Sequence, residues 1–163
     1  MTKTILHTYE INKDTISLSP ANHMDYDTIV QERNQKYYVK KTPIQLIEQA
    51  CLEGGATYDG RRVAVTYQTG AQSKVPIPIH PLEQIFAFPT HSPKLQECSW
   101  IFYHHIKAIK PNPKAPNQTI ITFRNYKEIT VDVSYNALER QIHRTAYCIV
   151  RFTNRYDEPP MFG

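Results

Sequence analysis

The chain has 163 residues, with 19 Lys plus Arg against 15 Asp plus Glu, 40% apolar residues, 12 Pro and 5 Gly. A chain of this length buries a core without staples and suits one domain. No stretch reaches the roughly 20 apolar residues of a membrane-spanning helix, and the opening Met1 to Thr8 lacks the apolar centre of a secretory signal, so a cytoplasmic protein with no membrane partner is expected.

The net charge of +4 is unevenly spread: residues 1–99 carry ten basic and ten acidic side chains, residues 100–163 nine and five. A polyanionic partner is expected to meet the second half. Cys51, Cys98 and Cys148 lie far apart among apolar neighbours and read as reduced core thiols, with no disulfide framework.

In chain order, Ile5 to Tyr9, Thr15-Ile16-Ser17-Leu18 and Lys36-Tyr37-Tyr38-Val39-Lys40 alternate like short strands of antiparallel hairpins. Thr42-Pro43-Ile44-Gln45 opens a helix: a hydroxyl to cap orphan N–H groups, a proline whose missing N–H costs nothing, and Gln three residues after the cap. Ile44, Ile47 and Cys51 share one face, and Gly54 is expected to supply a left-handed stop. Asp59-Gly60 then reads as a turn before a strand over Arg61 to Tyr67 that ends near Gly70.

Three prolines in Lys74 to Pro81 confine that stretch to an edge strand or an extended surface segment. Gln84 to Pro89 is a core strand, and Trp100 to Ile109 is long enough for one strand crossing most of a sheet. After a Lys/Pro/Asn loop over Lys110 to Pro116, Thr119 to Phe123 and Tyr126 to Val133 form a hairpin that turns near Arg124-Asn125. Ser134 caps a long helix with a buried stripe of Leu138, Ile142, Ala146 and Ile149; Arg140, Arg144 and Arg151, with His143 beside them, make an adjoining basic side. Tyr37, Tyr58, Tyr67 and Tyr126 read as sheet residues rather than base-stacking platforms. The sum is an α+β fold, mainly antiparallel sheet with two principal helices near 43–53 and 135–152.

Chemistry-bearing motifs are sparse. Cys98, His104 and His105, with His80 or His91, lack paired metal-ligand spacing, and adjacent histidines on a strand point to opposite faces, so no metal or other cofactor is expected. No phosphate-binding glycine loop, nucleophile elbow or zinc-protease helix occurs, and an enzyme is not expected. Basic residues at turns fit nucleic acid better. Arg61, Arg62, Arg124 and Asn125 are the candidates for a minor groove, where Arg and Asn distinguish mainly A·T from G·C. Lys40, Lys41, Lys107, Lys110, Lys114, Arg140, Arg144 and Arg151 are candidates for phosphate contact. Each has a plainer role open to it, as a solvated strand edge or helix face.

Several blocks together resemble the competence transcription factor family, ComK. They are Tyr37-Tyr38-Val39 through Pro43 with Ile44-Gln45-Leu46-Ile47 and Cys51; Tyr58-Asp59-Gly60-Arg61-Arg62; Gln84 to Thr90; Cys98-Ser99-Trp100-Ile101 with His104; and Ser134-Tyr135-Asn136 through Gln141 with Arg144-Thr145-Ala146. The resemblance runs from about residue 5 to 155. It implies a bacterial cytoplasmic activator of DNA-uptake genes, nucleoid-associated when bound to paired AT-rich promoter boxes through the minor groove. It further implies a homodimer or higher multimer on double-stranded DNA, with RNA polymerase as a further partner.

The resemblance also implies a basic and aromatic tail beyond the Arg155 region, tied to activation and to the adaptor of a Clp-type protease. This chain ends at Gly163. It is therefore expected to be a short or truncated member: a single DNA-binding core domain over 1–155, then a short flexible end over 156–163, with adaptor binding in doubt. The rival expectation is a protein-interaction or regulatory homologue that has lost transcriptional activation with that tail.

Overall fold

The computed structural model describes the backbone of residues 3–157 and side chains through residue 153. Two antiparallel-dominated sheets organise it. The larger has the strand order β1-β4-β3-β2-β7-β6-β5, with β1 (Ile5–Leu6), β2 (Thr15–Pro20), β3 (Thr28–Glu32), β4 (Lys36–Val39), β5 (Ile77–His80), β6 (Ile85–Pro89) and β7 (Trp100–Phe102). The smaller has the order β10-β9-β8, from β8 (Ile106–Asn112), β9 (Ala115–Phe123) and β10 (Glu128–Val131). Among the described residues only β1 pairs in parallel, with β4. The proline-rich β5 occupies an edge, where a missing ladder donor costs little.

Helix α1 (Pro43–Glu53) begins as its sequence dictates: Gln45 N donates to Thr42 Oγ1 at 3.3 Å and Thr42 N donates to Gln45 Oε1 at 3.0 Å, a complete capping box. Its stop is displaced by one residue from expectation. Gly54 has φ −81°, and Gly55, one position further on, carries the left-handed φ of 93°. Gly54 is needed for another reason: a Cβ there would lie 2.4 Å from the Ile79 carbonyl oxygen, so its bareness lets the helix end close on β5.

The expected strand over Arg61 to Tyr67 is instead helix α2 (Tyr58–Thr69), and Asp59-Gly60 is its first turn. Thr57 Oγ1 accepts from Gly60 N at 2.9 Å, and Gly70 closes the helix at φ 82°. Val63, Val65, Thr66 and Tyr67 are strand formers locally, but Val65 is fully buried and Tyr58 packs on the same core, so tertiary burial overrides propensity. Tyr58 and Tyr67 are thus helical. Tyr37 is in β4 as expected, while Tyr126 stands in a turn before β10.

The expected single strand over Trp100 to Ile109 is two strands in different sheets, parted by a 3₁₀ turn at Tyr103–His105. Its uninterrupted apolar character reflects passage from one core to the other. Lys110 to Pro116, expected as a loop, mostly extends β8 and β9, which turn between Asn112 and Ala115.

Two cores result. α1, α2 and one face of the larger sheet enclose Leu46, Ile47, Val65, Ile77 and Trp100; the second core gathers Ile16, Phe88 and Ile101 against Ile121, Phe123 and Val131 of the smaller sheet. On β7 the alternation is direct, Trp100 and Phe102 to the first core and Ile101 to the second. On β2 a bulge between Thr15 and Ser17 breaks that alternation, and Ile16 joins the second core although Leu18, two residues on, joins the first.

Helix α3 (Tyr135–Asp157) contributes to both cores and packs against α2, β6, β8 and β9. It runs beyond the expected end near 152. Its most buried positions are Leu138, Gln141, Thr145 and Cys148, so the stripe is rotated from the one expected, leaving Ile142, Ala146 and Ile149 half-buried. The polar members are satisfied: Gln141 Nε2 donates to the carbonyls of Lys74 (2.6 Å) and Pro89 (3.1 Å), and Thr145 Oγ1 donates to Gln141 O at 2.8 Å. Of the end expected over 156–163, residues 158–163 lie outside the described residues.

All three cysteines are buried and free. Burial pushes the Cys51 thiol up to about 11 and Cys148 to about 12, so both stay protonated near neutrality. Among the described residues no helix is long and apolar enough to cross a membrane.

Candidate nucleic-acid interface

The β9–β10 hairpin turns through Arg124 to Lys127 and is braced by two other segments, one of which is held in turn by a third. Arg124 N donates to His105 O and Arg124 Nε to His104 O, both at 2.8 Å, which fixes the root of an otherwise exposed side chain. Asn125 Nδ2 donates to the Arg33 carbonyl at 3.0 Å, and Asn125 Oδ1 accepts from Lys127 N at 3.1 Å. His105 Nε2 meets the Lys13 carbonyl at 2.7 Å. Tyr126 takes a left-handed φ of 68° and is 73% exposed, with the Lys107 ammonium 4.1 Å from its ring centroid. The hydrogen bond and charge of Lys107 hold the Tyr126 phenol below its ordinary value.

The bulge on β8 accounts for the position of Lys107. Ile106 pairs with Phe123 and Ala108 with Thr122, leaving Lys107 as the extra residue beside the tip. The backbone of Lys13 and Arg33 thus meets Lys107, Arg124 and Lys127 at one end of the smaller sheet. Asp14 stands among them, 3.6 Å from Arg33. Burial, and the neighbouring Arg124, hold His104 and His105 below the usual histidine value, which favours their neutral forms. Along edge strand β8, Lys110 follows and Lys114 sits in the far turn, all three lysines exposed. From Lys107 to Asn112 the strand runs about 17 Å, and Lys114 lies just beyond in the turn.

The remaining candidates lie elsewhere. Arg61 is half-buried: one guanidinium nitrogen donates to Gly54 O at 3.0 Å, and its Nε is buried without a partner, so it serves as a strut between α1 and α2. Arg62 pairs with Asp59 at 2.7 Å. Arg144 donates to Ser73 O at 2.7 Å and to Gln141 Oε1 at 2.8 Å; burial and nearby Arg140 lower its pKa. Lys41 Nζ donates to Gln49 Oε1 at 2.7 Å, Lys40 is exposed beyond β4, and Arg151 is exposed on α3. Asn125, with both ends of its amide engaged, braces the tip.

Sequence reasoning named Arg124, Asn125 and Lys107 but not Lys127, their neighbour in the same turn, nor Lys13 and Arg33. The contacts that bring the last two here join residues 92 apart in the chain, and no local pattern signals that. The histidines rejected as metal ligands have ordinary roles: His104 stacks edge-on to Phe86 and Tyr103, and His105 binds backbone. No group of three or more metal-ligating side chains occurs among the described residues.

The family model described as ComK protein matches residues 6–157, nearly all of the described chain. The chain belongs to the ComK family. Among similar proteins is the competence transcription factor of Bacillus subtilis (strain 168), 34% identical over 153 residues, a match covering 93% of this chain and 79% of that protein. No solved structure matches. Membership in the family, and not the shape of any cavity, carries the reading that the chain is not an enzyme.

Proposed function

We propose that this chain is a DNA-binding competence transcription factor that reads paired AT-rich promoter boxes through the minor groove, with the β9–β10 tip as the reader. Family membership supports the class of function. The observation that carries the mechanism is Arg124, exposed on a turn whose backbone and Nε are both tied to the 103–105 turn. An arginine so rooted loses less freedom on entering a groove than one on a mobile loop. Narrow A-tract grooves concentrate the negative potential that draws it in.

Lys107, Lys110 and Lys114 then follow the phosphates over about half of a DNA turn, adding affinity without sequence information. Arg61, Arg62, Arg140 and Arg144 are not needed for this contact. Two boxes call for two readers, so a homodimer or higher multimer is part of the proposal. Promoter activation through RNA polymerase and residence in the bacterial cytoplasm and nucleoid belong to it as well.

The test is a salt-titrated fluorescence anisotropy measurement on a duplex with paired AT-rich boxes, beside one in which the boxes are G·C. Tighter binding to the first with a steep loss in salt is expected. Equal affinity for the two would overturn the minor-groove reading.

A further inference from the structure

On the helical side of the molecule, Arg62, Lys74, Lys94 and His91 rim an open trough of about 980 Å³ whose walls include Ile44, Tyr58, Val75, Pro93 and Leu95. It does not end there. Ser73 and Lys74 also wall a recess of about 110 Å³ that carries Arg140 and Arg144, and Ile44, Pro93, Lys94 and Leu95 wall another of about 180 Å³ beside Thr42 and Pro43. The three depressions share wall residues and so adjoin one another on this side of the molecule.

Its two components have opposite demands. Apolar walls that include the half-exposed Leu95 gain from an apolar occupant, which removes them from water. The rim demands anions: Arg62, Lys74, Lys94, Arg140 and Arg144 face two carboxylates, Asp59, already paired with Arg62, and Asp27 at the far end. Residues from the first two turns of α1, α2 and α3 all line it, which adds the positive ends of three helix dipoles to the same field. A rigid duplex satisfies the rim but leaves the apolar walls bare. A compact metabolite fills one depression and not its continuation.

We propose that this trough binds an acidic peptide segment of a partner protein, held extended, with bulky apolar side chains on the walls and carboxylates on the rim. The surface is separate from the hairpin tip and does not depend on how the tip reads DNA. Lys74 and Lys94 are the main discriminators, because both are exposed and line the trough from different segments of the chain. Arg144 is less free, since Ser73 and Gln141 already hold its guanidinium.

The experiment uses the full chain and a fluorescein-labelled peptide, Glu-Asp-Phe-Asp-Leu-Leu-Glu, read by anisotropy. Controls replace its carboxylates by amides or its apolar residues by Ser. Saturable binding with a dissociation constant below roughly 100 μM is expected, and each control should lose about tenfold or more. The double variant K74E/K94E should lose a similar factor with an unchanged thermal midpoint, because both sites are exposed, and Leu95→Ser should lose a similar factor as well. R124A should bind the peptide as the parent does, so a failure of the minor-groove proposal leaves this result readable. Absence of saturation, or equal binding by K74E/K94E, overturns the proposal. So does a loss of duplex affinity in K74E/K94E as large as that in R124A, which would make the trough part of the DNA surface.

Discussion

The hairpin tip and the trough are both basic, yet they are built for different partners. At the tip, cations stand on an exposed turn tied by hydrogen bonds to the 103–105 turn and to the Arg33 carbonyl, and the exposed ring of Tyr126 lies under Lys107. In the trough, cations rim apolar walls set between helices and loops. Exposed charge on a rigid support suits a groove in the partner. Concave charge over apolar walls suits a chain that brings its own side chains. The sign of a patch thus says little about its partner until the shape and the neighbouring apolar atoms are known.

The largest expected effect separates the two regions. R124A should weaken binding to the AT-rich duplex by about 1–3 kcal/mol and erase most of the preference over G·C, because a base-reading contact is lost. A uniform loss on both duplexes would instead make Arg124 a phosphate contact and break the contrast drawn above. Next is stability on the trough side: T42A removes the capping box of α1 and should cost about 1 kcal/mol, seen as a thermal midpoint lower by roughly 2–4 °C. Duplex affinity of the folded variant should not move, since the tip belongs to the second core and to other segments.

Smaller again is the effect of removing Lys107, Lys110 or Lys114 singly. Each should lower the slope of log affinity against log salt by about one and leave AT preference intact. Unchanged slopes would move the DNA off strand β8. The smallest effect concerns pH. His104 and His105 have folded pKa values below their unfolded ones, so acidification protonates the unfolded chain first. Their contribution to stability is complete above about pH 6.5 and fades as pH falls below it. H105Q should flatten that dependence in urea titrations; an unaltered slope would mean His105 titrates freely.

How legible each part was in the sequence follows from the range of the forces that set it. The start of helix α1 was readable to the residue because its cap is a contact between Thr42 and Gln45, three positions apart. The edge position of β5 was readable from prolines alone. By contrast α2 was misread, since its β-branched and aromatic residues favour a strand until Val65 meets the first core. Of the candidate site, Arg124 was legible as a turn residue. Lys13 and Arg33, far away in the chain, were not.

The sequence by itself determined the fold class, the first and last helices, the buried thiols and the family, because caps, proline positions and dispersed identities are local or direct properties of the chain. Only the tertiary structure decided that Trp100 to Ile109 divides between two sheets, that Arg61 is a strut, and that Arg62 and Lys74 line one depression with apolar walls while Lys74 and Arg144 line the recess beside it. Those outcomes depend on which surfaces meet when two cores close around the same strands. That is settled by the total apolar area buried and by contacts between residues distant in sequence, which no local pattern encodes.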